Sequence, residues 1–208
     1  MSPYPNRCAW CNLKNPLYIT YHDTQWGVLR LDDAYLFEML LLESFQAGLS
    51  WECVLNKREN FRQAFDGFDP KVIANYSSDK VDSLLQNSGI IRNRRKMLAA
   101  IQNAQVFLQL QEEFGSFRQY LLCFWDGTII YDCHSTRSPL SDQLSADLSK
   151  RGMRFVGSTI LHAFLQAIGI VNAHEAACFL YPIDIENQEE TDGIPSQLLY
   201  ILFSESVV

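Results

Sequence analysis

The chain has 208 residues, 48% of them hydrophobic, and a formal net charge of −7. That length supports one large domain or two small ones, and that composition excludes a disordered or collagen-like chain. The acidic balance excludes indiscriminate nucleic-acid binding, and no apolar stretch approaches the roughly 20 residues that cross a bilayer.

Residues Met1–Arg7 are polar and include two prolines, unlike a secretory leader, so a cytoplasmic location is expected. The sequence around Cys8 and His22 reads as loop-like. Asp32 or Asp33 caps a predicted helix that runs to about Gln46 and stops at Gly48. Its apolar residues Leu36, Phe37, Met39, Leu40, Leu41, Leu42 and Phe45 cover more than one face, which predicts a central helix. Ser50 caps the next, to about Phe65, and Asp69-Pro70 opens a short one that ends near Tyr76. Ser77 or Ser78 starts a helix to Asn87. Ser88-Gly89-Ile90-Ile91 then turns the chain into a long helix from about Arg92 to Glu113, giving a hairpin of helices. A helix over Phe117–Phe124 follows, then an irregular stretch in which Thr128–Tyr131 reads as extended. Further helices are expected from Ser141 to Gly152, from Gly157 to Ile168, and from an Asn172 cap through Phe179. No βαβ alternation occurs, so the fold class is all-α, many short helices around one or two cores. Residues 1–182 form the expected domain. Residues 183–208 form an acidic tail, with one short docked segment at Leu198–Phe203.

Two Cys–His pairs stand far apart: Cys8 with His22, and His174 with Cys178. On the predicted last helix, His174 and Cys178 are spaced i, i+4 and share a face. Thiolate and imidazole suit a tetrahedral zinc ion, so the four residues make a candidate clasp joining the start of the domain to its end. Cys11 competes with Cys8 as a ligand, and separate packing roles for all four remain the plain alternative. Four protein ligands leave no open position, so such a site would be structural.

Trp10, Tyr18, Tyr21, Trp26 and Trp51 crowd the same region. Such aromatics form core, yet here they mix with polar groups at turns, including Gln46, as a flat heteroaromatic ligand would require. Glu43 lies inside the apolar helix, where an unpaired carboxylate is costly. It requires a neighbouring amide, a proton or a ligand. Two basic stretches, Arg92–Lys96 and Lys150–Arg154, are solvated helix ends or local binding faces.

Longer motifs add a resemblance. Tyr21-His22-Asp23-Thr24-Gln25-Trp26-Gly27 looks like the Y-H-D-x-E-W-G element of the bacterial 3-methyladenine DNA glycosylase I family. Leu42–Trp51 resembles its L-E-x-x-Q-A-G-L-S-W element, and Lys57–Arg62, Gly89–Lys96, Arg151–Gly157 and Gly169–His174 continue the match in order, with Cys178 following. The resemblance covers about residues 8–182. It implies a helix-hairpin-helix DNA glycosylase with a structural zinc on Cys8, His22, His174 and Cys178. It implies a base pocket with Glu43 and Tyr21 as catalytic residues, and with Trp51, Trp10, Tyr18 and Gln46 as its substrate-binding walls. DNA contacts would fall on Gly89, Ile90, Arg92, Arg94 and Lys96. The partner would be alkylated double-stranded DNA, engaged by a monomer. An everted base would stack on Trp51, with Glu43 recognising it and Tyr21 adding a hydrogen bond. No general-base Asp is evident, and Asp23 is a second choice for acid–base work. A non-catalytic damage-binding module is the alternative reading, and a zinc hydrolase a third. The sequence departs from the family pattern at Gln25, where Glu is frequent, and at His162, where Tyr is common. It also carries one extra residue between Cys8 and His22, matches poorly over Trp125–Pro139, and adds the acidic tail.

Overall fold

A computed structural model describes residues 5–182. Helix α1 (Pro16–Thr24) leads to α2 (Asp33–Gln46), then α3 (Trp51–Leu55), α4 (Arg58–Ala64), a 3-10 turn over Asp66–Phe68 and α5 (Pro70–Ile73). Helices α6 (Ser78–Gln86), α7 (Arg94–Phe114) and α8 (Phe117–Leu121) follow. The described chain ends with β1 (Ile130–Tyr131), α9 (Pro139–Lys150), α10 (Ser158–Ala167) and β2 (Val171–Asn172). Among the described residues, no helix is long and apolar enough to cross a membrane.

Helix α2 is the axis of the fold. Every residue from Tyr35 to Phe45 is buried, so no face is left for water. Helices α3, α7, α8 and α10 pack around it. Aromatic side chains fill the joints: Phe37 meets Phe107 with ring centroids 4.9 Å apart, Phe107 stacks on Phe117 at 4.5 Å, and Phe45 meets Phe61 at 4.8 Å. Asp33 ties a third element in, accepting from the backbone N–H groups of Phe117 and Arg118 at the start of α8. The Asp32 side chain caps α2 itself by accepting from the Tyr35 N–H.

The boundaries depart from the sequence reading in informative ways. Helix α1 was not expected, although Asn15 as cap and Pro16 at the first helical position carry the usual start signal. The helix expected over Ser50–Phe65 breaks at Asn56 and Lys57, and Lys57 lies outside helical geometry. The break lets the Lys57 ammonium reach the carbonyls of Ser88 and Gly89. The long helix opens at Arg94, where the Asn93 side chain accepts from the Lys96 N–H, rather than at Arg92. The α9 cap is Ser138, in a reciprocal box with Ser141.

One expectation fails outright. Among the described residues, no helix follows Asn172. Instead β2 pairs in parallel with β1, matching Ile130 to Val171 and Tyr131 to Asn172, so a small strand pair joins an otherwise helical fold. The Asn172 carboxamide accepts from the His174 N–H and turns the chain rather than capping a helix. The tail beyond residue 182, with its expected docked segment, lies outside the described residues.

Gly169 closes α10 at φ +80°, where a Cβ would fall 2.3 Å from the backbone of Val28 and Leu29. That contact brings the segment after α1 against the end of α10, reinforced by the Gly27 N–H donating to the Gln166 carbonyl. Gly169→Ala is therefore expected to destabilise the fold by at least about 2 kcal/mol, through both strain and overlap. Urea denaturation against the parent chain measures it.

Candidate functional site

Four buried side chains meet where the two ends of the described chain come together. The ligand atoms of Cys8, His22, His174 and Cys178 all lie within 4.8 Å of one another. Cys8 Sγ and Cys178 Sγ each sit 3.5 Å from His174 Nδ1, and Cys178 Sγ sits 3.5 Å from His22 Nε2. Tetrahedral bonds of about 2.3 Å to sulfur and about 2.0–2.1 Å to nitrogen place neighbouring S and N ligands roughly 3.6 Å apart, so the cluster has the dimensions of a closed metal site. Its surroundings suit thiolates: the Glu175 N–H points at Cys8 Sγ and the Leu180 N–H at Cys178 Sγ. His22 presents Nε2 to the centre because its Nδ1 faces Asp23 at 2.8 Å, and Arg7 grips that carboxylate through two nitrogens. Burial pushes the Cys8 thiol well up and lowers His174 to about 4, so the protein alone favours neutral groups here. A bound cation would reverse that preference for the thiols. The cluster can hold a metal.

The route to this geometry differs from the sequence argument. His174 and Cys178 are not on a helix; a turn in which the Cys178 N–H donates to the Glu175 carbonyl brings them together. His22 comes from helix α1 rather than a loop. Cys11 is buried but stands outside the cluster, its thiol directed at the Tyr18 carbonyl. Asp23, the second choice for acid–base work, is occupied by Arg7 and His22. Those hydrogen bonds, Arg7's first, hold its carboxyl below the usual range.

Beside the cluster lies a cavity of about 190 Å³ lined by Trp10, Tyr18, Tyr21, Trp26, Glu43, Gln46, Trp51, Ala163 and Gln166. It is smaller than the roughly 300–1,000 Å³ that drug-sized ligands occupy, which suits a single flat ring system. The aromatic wall is continuous with the metal-ligand cluster. Trp10 contacts Trp26 at 4.6 Å and His22 at 5.2 Å, and Trp26 meets His174 edge-on at 4.7 Å. Tyr21 and Trp51 face each other at 5.1 Å. Glu43 is 3% exposed, and its Oε2 has no partner among the described residues. Burial raises its carboxyl to about 8. The Trp51 indole N–H is likewise buried and unpaired. An orphaned acceptor and an orphaned donor in one small aromatic cavity are two costs that a polar ligand would remove. The backbone-amide partner considered for Glu43 is absent from its Oε2.

Ala163 and Gln166 on α10 escaped the sequence reading. Gln166 carried the same signal as Glu43, a polar side chain within an apolar helix.

The expected DNA-facing residues divide. Ile90 is buried at 3% exposure and anchors the α6–α7 turn. The Gly89 N–H donates to the Asn87 side chain rather than outward. Arg92 is exposed and makes no ion pair among the described residues, whereas Arg94 is exposed and paired with Asp82 at 2.5 Å. Lys96 departs from expectation: it is buried, and its ammonium donates to the carbonyls of Phe45 at 2.7 Å and Ala47 at 2.6 Å. A charge so enclosed is not presented to a phosphate. Arg95 and Arg154, both exposed and without a carboxylate partner among the described residues, share an open groove with Leu98 and Phe155.

Residues 10–181 match the methyladenine glycosylase family. The DNA-3-methyladenine glycosylase 1 of Escherichia coli K12 is 44% identical, over 85% of this chain and 97% of its own. A crystal structure of a 3-methyladenine DNA glycosylase I superposes with a TM-score of 0.81 at 46% identity, covering 85% of this chain and all of that one. The Staphylococcus aureus 3-methyladenine DNA glycosylase I, solved to explain 3-methyladenine recognition, superposes at 0.80 with 34% identity, over 85% of this chain and 97% of its own. With its conserved order of motifs lying on a matching fold, the chain belongs to the 3-methyladenine DNA glycosylase I family.

Proposed function

We propose that this protein excises 3-methyladenine from alkylated double-stranded DNA by everting the base into the aromatic cavity and hydrolysing its N-glycosidic bond. The observation that carries the reading is that Glu43 Oε2 and the Trp51 indole N–H are both buried and without a hydrogen-bond partner among the described residues, on the lining of one cavity of single-ring-system size. A target base inside a duplex is out of reach, so eversion is required. Methylation at N3 places positive charge on the base within the nucleotide. Stacking against Tyr21 and Trp51 suits that cation, worth roughly 0.5–2 kcal/mol per ring. Trp10, Tyr18 and Gln46 complete the wall. Glu43 as carboxylate complements the charge and accepts from the base, and Tyr21 adds a hydrogen bond. When the bond to C1′ breaks, its electron pair goes to the base and cancels the charge. Water adds to C1′ and releases a proton. The base is thus a good leaving group, and recognition does most of the work.

We read the hairpin of α6 and α7 as a helix-hairpin-helix element. Its outer face, with Gly89, Arg92 and Arg94, lies toward the DNA backbone, and Lys96 is withdrawn from that set. The unpaired Arg95 and Arg154 extend the basic face toward the α9–α10 hairpin. Within the domain of residues 1–182, Cys8, His22, His174 and Cys178 hold zinc. All four positions are protein ligands, so the ion supplies a cross-link rather than chemistry. The protein acts as a monomer.

Two experiments follow. Chromatography of bases released from methylated duplex should show 3-methyladenine with the parent chain and a loss of at least about 100-fold with Glu43→Gln, the size of effect expected when a preorganised charge is removed. Release from neither chain leaves a binding module instead. Because burial holds the Glu43 carboxyl near 8, its ionised form grows as pH rises to that value, so kcat/KM should climb from pH 6 and level off above about 8. Stability runs the opposite way. A carboxyl whose folded pKa lies above its unfolded value loses stability as pH rises between the two, so Glu43→Gln should gain on the parent over that window.

For the clasp, elemental analysis should find one zinc per chain. Chelation or Cys178→Ser should lower the melting temperature, because structural zinc sites supply up to ~10–16 kcal/mol in small folds. A folded Cys178→Ser protein with activity lost would point to a metal in the chemistry instead.

A further inference from the structure

Among the described residues, Lys96 is the only buried lysine or arginine, at 6% exposure. Its position is costly twice. Burial lowers its pKa, the mark of a charge taken from water. It also stands in the first turn of α7, where the helix dipole opposes a cation. No carboxylate lies within ion-pair distance among the described residues. Two carbonyls receive its protons: Phe45 O at 2.7 Å and Ala47 O at 2.6 Å. Both belong to the C-terminal end of α2, where orphaned acceptors and the dipole favour a cation.

The residue between those carbonyls is Gln46, which lines the base cavity, and Glu43 stands one turn earlier on the same helix. The chain after Ala47 turns through Gly48 at φ +79° into α3, whose first residue is Trp51. The Lys96 clamp therefore sits where the acid side of the cavity passes to its stacking side. Its neighbours on α7 are Arg94 and Arg95, on the face turned to solvent.

We propose that Lys96 is a positioning residue that fixes the α2 terminus, and through it Gln46, Glu43 and Trp51, in the geometry that receives the everted base. The proposal rests on the excision reading of that cavity. It assigns Lys96 no contact with base or phosphate, and burial alone accounts for the raised Glu43 carboxyl, so Lys96 sets placement and not ionisation.

The test uses the full chain and methylated duplex under single-turnover conditions, with duplex affinity measured over a range of salt. Lys96→Met should slow excision about 10- to 100-fold, the penalty for misplacing a reacting constellation by about 1 Å. The salt slope of duplex binding should stay unchanged, since no phosphate contact is lost. Lys96→Arg, which keeps charge and donors, should recover much of the rate. Lys96→Met combined with Gln46→Ala should fall short of the product of the two single effects, as expected of residues acting through one element. A salt slope reduced by about one would make Lys96 a phosphate ligand and overturn the proposal. So would a normal rate in a Lys96→Met chain that merely melts earlier, or fully multiplicative effects. Should Lys96→Met fail to fold, Lys96→Gln carries the comparison: slowed excision with intact duplex affinity supports the proposal, and an unchanged rate overturns it. Absence of base release from the parent chain would instead sink the excision reading, a separable result.

Discussion

The two ends of the described chain are held by the convergence of four soft-ligand side chains from three segments. Cys8 comes from the loop before α1, His22 from α1 itself, and His174 and Cys178 from the turn after β2. The surrounding hydrogen bonds point the same way. Glu175 accepts from the Ala9 N–H, and the Phe179 N–H donates to the Asn6 carbonyl, so both ends are already stitched together around the cluster. The N-terminal loop buries Cys8 and Cys11 and packs Trp10 against the core. Trp10 packs against His22 of the cluster at 5.2 Å and against Trp26 at 4.6 Å, and Trp10 and Trp26 are walls of the cavity. The cluster therefore borders the cavity, sharing Trp10 and Trp26 with its wall through their contacts with His22 and His174.

The second constraint is the burial of α2. A helix enclosed on all sides leaves no inexpensive place for Glu43, and its unpartnered oxygen is a standing cost of folding. Such costs gather where a ligand repays them. Burial favours the protonated form of this acid near neutral pH, and a cation beside it would favour the ionised form. The Trp51 indole N–H makes the same point from the opposite wall.

The third is the division of labour among the cations. Most arginines are paired: Arg7 with Asp23, Arg58 and Arg62 with Glu38, Arg151 with Asp147 and Glu113. Against a net charge of −7, Arg92, Arg95 and Arg154 stand out as the exposed arginines without a carboxylate partner among the described residues, on two neighbouring hairpins. Local distribution, not the total, decides whether an acidic protein approaches a polyanion. Lys96 belongs to the same sequence run but faces inward. Adjacent positions on a helix point about 100° apart, so a basic run always divides between solvent and core.

Composition and short-range pattern determined a good deal. The all-round apolar character of Leu36–Phe45 marked the central helix, the Asp69-Pro70 and Ser77 caps marked their helices, and the isolated polarity of Glu43 marked the cavity. The family motifs marked the clasp. The helix and cap signals are local: they rest on side-chain periodicity and on residues within one turn of the cap. Tertiary structure alone decided the rest. The pairing of β1 with β2, and the Asn172 turn that follows it, replaced the expected helix after Asn172; the extended character of Thr128–Tyr131 was legible, but its partner at Val171–Asn172 was not. Gln166 entered the cavity only because α10 packs on α2. Lys96 changed sides because the nearest acceptors for its charge lay at the end of another helix, and sequence spacing does not record which helix ends meet.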